Sequence, residues 1–227
     1  MKNRLFLKAG YVGLLVIVMS MILVIIFPSK APKMPDGFFT PIIAFEFIET
    51  KAEVFQLFVS TDGTIRQSMV DAMDLGNQLD FIYMFLYSLF LLMFCLKCAQ
   101  ISSKKYYYMG AVIALAVLSA DVLENIQLLK ITANLETGDF KQYLAWLHLL
   151  TWMKWGGIAA IFLGLFFWFI KGGKFSKIIG ITGVLSFASG VLAYLNRSVL
   201  NEIFGLTVAV MFIMMILYCF IYKYDPA

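Results

Sequence analysis

Long apolar runs separated by short polar stretches dominate the sequence. The first run, 9–27, contains no charged residue, and five others follow at about 79–96, 106–129, 143–170, 178–195 and 199–222. About 18 or more apolar residues can cross a bilayer as a helix, and a helix is needed there because lipid offers the backbone no hydrogen-bonding partner. The pattern therefore predicts an all-α, polytopic transmembrane helix bundle of about six spans, the last five within 79–227.

Residues 1–27 have the charge pattern of a secretory signal, because Lys2, Arg4 and Lys8 precede the first apolar run. A cleaved signal has an apolar region of only about 7–15 residues and ends at a small-residue cleavage site. Here the apolar region has 19 residues and leads into Phe27 and Pro28. We therefore expect an uncleaved N-terminal signal-anchor helix.

Residues 28–78 form a predicted extracytoplasmic segment. Its beginning is rich in proline (Pro28, Pro32, Pro35 and Pro41), which predicts a stiff, extended tether. Residues 42–59 then combine an apolar stripe with an acidic face, which indicates an amphipathic helix along the outer surface of the bundle. An acidic face favours contact with protein over anionic lipid, so a membrane-protein partner is one candidate. The stripe is Phe45, Ile48, Ala52, Phe55 and Val59, and the acids are Glu46, Glu49 and Glu53.

Composition and charge place the protein in a cell membrane and orient it there. Apolar residues make up 62% of the chain and charged residues 14%, far from the roughly 45–50% and 25% of soluble proteins. Ten of the eighteen basic residues fall in the short pieces that share a side with the N-terminus. Because positive charge is retained on the inner side, both termini are predicted to be cytoplasmic, in a plasma membrane or similar cell membrane.

Three cysteines agree with this orientation. Cys95, Cys98 and Cys219 all fall at the predicted inner ends of their spans, where thiols stay reduced. Cys95 and Cys98 form a C-x-x-C pair, but it lies at a helix end without the βαβ context of a redox motif. We expect inert thiols or acylation sites there.

Ionisable residues within the predicted spans are the main candidates for function, because each costs about 2.5–3.5 kcal/mol at the centre of a membrane helix. In the third span Asp121, Glu124 and Asn125 share one helical face. The inner half of the bundle offers nothing comparable, so the polarity is one-sided. Neighbouring spans and the last loop add polar groups at similar depth: Asp80, His148, Trp152, Lys154 and Arg197.

Three interpretations of these residues remain open at this stage. The first is a purely structural network in which Lys154 pairs with Asp121 or Glu124. The second is a metal site of Asp80, Asp121, Glu124 and His148, which is disfavoured because the chain has one histidine and zinc sites prefer more nitrogen or sulfur. The third is a pocket in the outer leaflet for a membrane lipid or other amphiphile.

We adopt the third interpretation as the working prediction. Asp121 or Glu124 would be the general acid or base, and His148, with its ordinary pKa near neutrality, would relay protons. Lys154 or Arg197 would hold an anionic headgroup. The remaining ligand-binding candidates are Asp80, Asn125 and Trp152. The alternative is a non-catalytic scaffold or assembly subunit in which the same residues are structural.

Other function classes find little support in the sequence. The inner half of the bundle lacks the ionisable groups that a transport path needs at several depths. No phosphate-binding loop, nucleophile elbow or H-E-x-x-H motif is present, and nothing indicates a cofactor. The basic residues lie in short loops at a membrane surface, which does not suit nucleic acid.

Overall fold

The computed structural model describes residues 4–223, and this part of the chain is helical with no β-strand. Six of the helices are long and apolar enough to cross a membrane, which confirms the predicted count. The two short helices between the first and second spans are α2 and α3. In chain order the elements are α1 Leu7–Ile26, α2 Pro41–Glu46, α3 Lys51–Phe58, α4 Gln67–Ser102, α5 Tyr106–Ala133, α6 Lys141–Phe169, α7 Lys174–Leu195 and α8 Val199–Ile221.

The six long helices form a closed ring in chain order. Each packs against the next along the sequence, and α1 packs against both α4 and α8. Two glycines allow the close approach of α1 to α8: a Cβ at Gly10 would lie 2.9 Å from Cys219 Cβ, and a Cβ at Gly13 would lie 2.6 Å from Ile216. The first and last helices of the ring are therefore neighbours, and we call their boundary the α1/α8 seam.

Three helices continue beyond the membrane-spanning region on one face of the ring. At about 1.5 Å per residue, the 36 residues of α4 would measure about 54 Å, more than a hydrocarbon core of about 30 Å requires. Residues 28–66, which include α2 and α3, cover this face and are called the cap. A second apolar core lies under the cap, with fully buried members from the cap, α4, α5 and α6: Phe45, Leu57, Phe58, Met73, Leu128, Ile131 and Leu147.

The segment 42–59 is two helices instead of the single amphipathic helix expected from the sequence. The chain leaves the helical path at Phe47 and restarts after Thr50, whose side chain and that of Glu53 form a reciprocal capping box. The buried positions of α3 are Val54, Leu57 and Phe58, whereas Ala52 of the predicted stripe is exposed. The capping box therefore starts a new helix, so α3 does not continue the face of α2.

The cap is tied to the ring at the loop between α7 and α8. Glu202, in the first turn of α8, accepts hydrogen bonds from the backbone N–H groups of Phe39 and Thr40, at 3.0 and 2.8 Å. Arg197 donates to the Phe47 carbonyl at 2.6 Å and to Glu53 at 2.7 Å. The proline-rich stretch therefore ends in a fixed attachment.

The opposite end of the ring is closed by apolar side chains. Cys95, Cys98 and Cys219 are buried there as free thiols among Phe6, Phe94, Phe169 and other members of the main core. Small residues of α7, including Gly183, Ser186 and Gly190, are buried against neighbouring helices, as expected of packing positions.

Candidate functional site

A single lysine lies at the centre of a group of buried carboxyls. The Lys154 ammonium lies 2.5 Å from Glu124 Oε2, 3.2 Å from Asp121 Oδ1 and 3.2 Å from Glu46 Oε2. Lys154 is 5% exposed, Asp121 2% and Glu124 0%. Together with Asp80, described below, these residues are called the Lys154 cluster. The structure thus brings together four acids and one base from four different helices.

Two helices contribute their groups in i, i+3 pairs. Asp121 and Glu124 lie one turn apart on α5, and Thr151 and Lys154 lie one turn apart on the facing side of α6. Thr151 Oγ1 donates to Glu124 Oε1 at 2.6 Å, and the Tyr87 hydroxyl of α4 donates to Asp121 Oδ2. Both carboxyls are therefore held in one orientation by a lysine and a hydroxyl.

Asp80 joins the cluster through an amide. The Asn125 side chain donates to Asp80 Oδ2 at 2.9 Å and to the Asn77 carbonyl at 3.0 Å. This amide links α5 to α4 and holds Asp80 beside Asp121. Asp80, Asn125, Asp121, Glu124 and Lys154 were all predicted from the sequence to share one site, and the structure places them together.

Glu46, the fourth acid, comes from the cap and was not predicted to belong to this site. Its carboxylate accepts a hydrogen bond from Trp155 Nε1 at 2.8 Å in addition to its contact with Lys154. Burial raises the pKa of the Glu46 carboxyl above its ordinary value, although the Lys154 charge opposes that shift. The sequence gives no signal for this placement, because Glu46, Glu49 and Glu53 recur as one acidic face.

The three acids of that face separate in the structure. Glu46 enters the Lys154 cluster, Glu49 lies 3.7 Å from His148 Nδ1, and Glu53 binds Arg197. For Glu53, burial acts to raise the pKa, but hydrogen bonds from the Glu49 backbone and the Arg197 side chain outweigh it, so the pKa is lowered. The break between α2 and α3 is what sends these side chains in different directions.

A cavity of about 520 Å³ begins at the Lys154 cluster and extends along the α1/α8 seam. Glu46, Asp80, Asp121 and Lys154 line its polar end, with Tyr83, Tyr87 and Trp155 nearby. Apart from Ser20, the rest of its wall is apolar and comes mainly from α1 and α8. Residues of the wall that are exposed on the outside of the ring mark its rim: Met21 (63% exposed), Val24 (78%), Ile25 (82%) and Ile213 (49%).

His148 does not take part in this site, which corrects the prediction that it relays protons there. Its side chain is half exposed and lines a separate surface groove with Glu49 and Asp139. The reason is helical geometry. His148 and Lys154 are six residues apart on α6 and so point about 120° away from each other at about 100° per residue.

Trp152 and Arg197 also lie outside the cavity, although both were predicted to bind ligand. Trp152 is two residues from Lys154 and faces away from it, with its ring against Tyr194 and Phe47. Arg197 fixes the cap through Glu53 and the Phe47 carbonyl, and its guanidinium lies over the Phe38 ring. The predicted cation for an anionic headgroup is therefore engaged elsewhere.

The polar groups of the cavity are several carboxyls and one ammonium, and the single positive charge of Lys154 cannot neutralise all of the acids if they are ionised. Among residues 4–223, no group of three or more histidines, cysteines or acids has the geometry to hold a metal ion. Asp80 and Asp121 reach the cavity directly, whereas Glu124 supports Lys154 from behind and does not line it. The site can bind a polar group by charge and hydrogen bonding, and its acids can exchange protons with that group.

The fold and site together define an integral membrane protein of six helical spans with an internal ion cluster beside a side cavity. Comparison with known proteins adds no relative to this description, since no family model, curated protein or solved structure matches the chain.

Proposed function

We propose that the protein binds an amphiphilic molecule, such as a membrane lipid, in the cavity along the α1/α8 seam. The polar head would contact the Lys154 cluster, and the hydrocarbon chain would lie between α1 and α8. The cavity itself is the observation that carries this proposal. It combines an apolar wall with a few polar groups at one end, and its volume is within the roughly 300–1,000 Å³ of ligand sites.

The rim supports entry from the lipid. Val24 and Ile25 on α1 and Ile213 on α8 line the cavity and are also exposed on the outside of the ring, where acyl chains would lie. A scaffold subunit needs no such opening beside its buried charges. Ionisable residues within a membrane are costly, and the cost is expected mainly where they serve a ligand, an ion or a proton.

The distribution of basic residues supports an extracytoplasmic location for the cap. Lys8, Lys97, Lys105, Lys171 and Lys177 lie at or near the helix ends opposite the cap. By the positive-inside rule we expect this end to be cytoplasmic, and the Lys154 cluster would then lie in the outer half of the bilayer. The first helix remains part of the protein as a signal-anchor in this proposal, because α1 supplies one wall of the cavity.

The scaffold alternative has one observation in its favour. Lys154 is surrounded by three carboxyls, and Glu124, Asp121 and Asp80 also receive hydrogen bonds from Thr151, Tyr87 and Asn125. Such a network can fix the positions of helices without any ligand. The two functions differ in what filling the cavity would do.

The test is therefore to fill the cavity. A Cβ at Gly205 would lie 3.7 Å from Trp155 and from Ile43, an ordinary contact, so Gly205→Leu extends a side chain into the cavity without a backbone clash. Gly164→Leu is the matched control, because a Cβ there meets nothing within 4 Å. Native mass spectrometry of each purified protein then measures bound lipid.

The amphiphile proposal predicts bound lipid in the wild type and in Gly164→Leu, and its loss in Gly205→Leu at unchanged expression. Equal lipid occupancy in all three proteins, or none in any of them, would favour the scaffold.

A further inference from the structure

We infer that the cavity selects an amphiphile with a cationic head, a primary ammonium group on a hydrocarbon chain, and not an anionic one. This inference rests on the proposed function and specifies its ligand. It reverses the expectation from the sequence, in which Lys154 or Arg197 would hold a phosphate or carboxylate.

The described basic groups near the cavity already have acidic partners. Lys154 is the one basic residue among the described residues that line it, and three carboxyls surround its ammonium within 3.2 Å. Arg197 binds Glu53 and the Phe47 carbonyl in the cap. An anionic head would have to displace one of these carboxylates to reach a cation.

The polar end of the cavity carries more acids than bases. Three acids line it, namely Glu46, Asp80 and Asp121, and Glu124 lies directly behind Lys154. One ammonium balances one carboxylate, so the remaining acids must hold protons or attract another cation. A second ammonium would provide that cation, whereas a phosphate would add negative charge to a site of low dielectric constant.

Asp121 has an acceptor that shares its donor with other acids. Asp121 Oδ1 is buried in a residue that lines the cavity, and it lies 3.2 Å from the Lys154 ammonium, which Glu124 and Glu46 also contact. A carboxylate oxygen has two lone pairs, so Asp121 Oδ1 can accept a further hydrogen bond from a group in the cavity. An ammonium head carries three donors and could bond to Asp121 and Asp80 at once, while their other oxygens stay bound to Tyr87 and Asn125.

Three probes that share one hydrocarbon chain and differ in the charge of the head group test the inference: hexadecylamine, hexadecanol and hexadecanoic acid. Each is titrated at neutral pH into the detergent-solubilised full-length protein, and the apparent Kd is measured by native mass spectrometry. We expect hexadecylamine to bind at least about tenfold more tightly than hexadecanol, the gain typical of a charge-assisted hydrogen bond, and hexadecanoic acid to bind most weakly.

Two variants locate the effect. Asp80→Asn with Asp121→Asn should reduce hexadecylamine affinity about tenfold and leave hexadecanol affinity unchanged. Asp74→Asn is the control, because Asp74 is also an acid of α4 bound to α5, through Thr132 at 2.7 Å, but does not line the cavity. Circular dichroism and size-exclusion profiles establish that the double variant folds. If it does not, Asp80→Asn alone is compared with Asp74→Asn.

The outcomes separate the inference from the function on which it rests. Equal or tighter binding of hexadecanoic acid, or equal binding of all three probes with loss of all three in Gly205→Leu, would overturn the cationic head and leave the amphiphile site standing. Binding of every probe that Gly205→Leu does not reduce would overturn both. Preference for the amine that disappears in Gly205→Leu and in the aspartate variant would support both.

Discussion

Glu46 Oε2 of the cap lies 3.2 Å from Lys154 Nζ of the bundle. This contact joins a helix of six residues outside the membrane to the centre of the ionic cluster inside it. The cap is therefore a component of the site as well as its cover. Its carboxylate also receives the Trp155 indole hydrogen bond, so two residues of α6 contact this acid.

Replacing Glu46 tests this contact between the cap and α6. Glu46→Gln keeps an oxygen that can accept from Trp155 but removes the carboxylate beside Lys154, so we expect a loss of about 1–3 kcal/mol in the free energy of unfolding. Thermal unfolding in detergent measures the change. Glu49→Gln is the control: its partner is a half-exposed histidine at 3.7 Å, and a change within about 0.5 kcal/mol is expected. Equal effects of the two variants would argue against a special role for Glu46.

Removing the central cation should be more severe. Lys154→Met leaves the carboxyls of Asp121, Glu124 and Glu46 without their shared partner, and a broken buried pair typically costs about 3–5 kcal/mol. Lys154→Met combined with Glu124→Gln should recover part of that loss, because one of the stranded acids is neutralised. Chemical unfolding of the two variants provides the comparison.

The same double variant distinguishes binding from scaffolding. In a scaffold, Lys154→Met with Glu124→Gln keeps the packing and should preserve function. In an amphiphile site it should alter ligand binding by the folded protein, since Lys154 lines the cavity and lies 3.2 Å from Asp121. Bound lipid counted by native mass spectrometry decides between these outcomes.

The ion pair between Arg197 and Glu53 predicts a pH dependence of cap stability. Because the pKa of Glu53 is lowered in the folded protein from its ordinary 4.5, its ionised form stabilises the fold above that pH. The contribution is lost as pH falls from about 4.5 through the folded pKa. Glu53→Gln should therefore reduce stability at neutral pH and flatten its decline on the acid side. Unfolding midpoints across this pH range test the slope, and an unchanged slope would exclude the pair as its source.

The proposed topology can be tested with cysteine labelling. Cys95, Cys98 and Cys219 are buried, so they provide a low background for a membrane-impermeant maleimide. Thr61→Cys, in the exposed turn of the cap, should react in intact cells, whereas Lys105→Cys, exposed at the opposite end, should react only after permeabilisation. The reverse pattern would invert the orientation of the cluster in the membrane.

Most of the fold could be predicted from the sequence because its main signal is length and apolarity. Six runs of sufficient length give six helices, and the lipid solvent leaves few alternatives. The cap was harder to predict, because an i, i+3, i+4 stripe does not reveal where a helix stops. The Thr50 and Glu53 capping box supplied a start signal inside the predicted helix.

In the site, too, positions fixed within one helix could be predicted, whereas contacts between distant parts of the chain could not. Spacing along one helix was enough to group Asp121, Glu124 and Asn125 on one face. Lys154 could be assigned to the same site because buried carboxylates need a cation as partner. His148 and Trp152 lie outside the cavity for a reason that their spacing along α6 already indicates: neither shares a helical face with Lys154. Glu46 could not be found, because its position depends on how the cap folds back onto α6.

The α1/α8 seam has a consequence for the biogenesis of the protein. Because α8 follows α4, α5 and α6 along the chain, it is synthesised after the helices that carry the acids and the lysine of the cluster. Until α8 packs against α1, one side of the ionic cluster lacks its protein wall. The nascent chain can shield those charges in the meantime by pairing them with one another or with water.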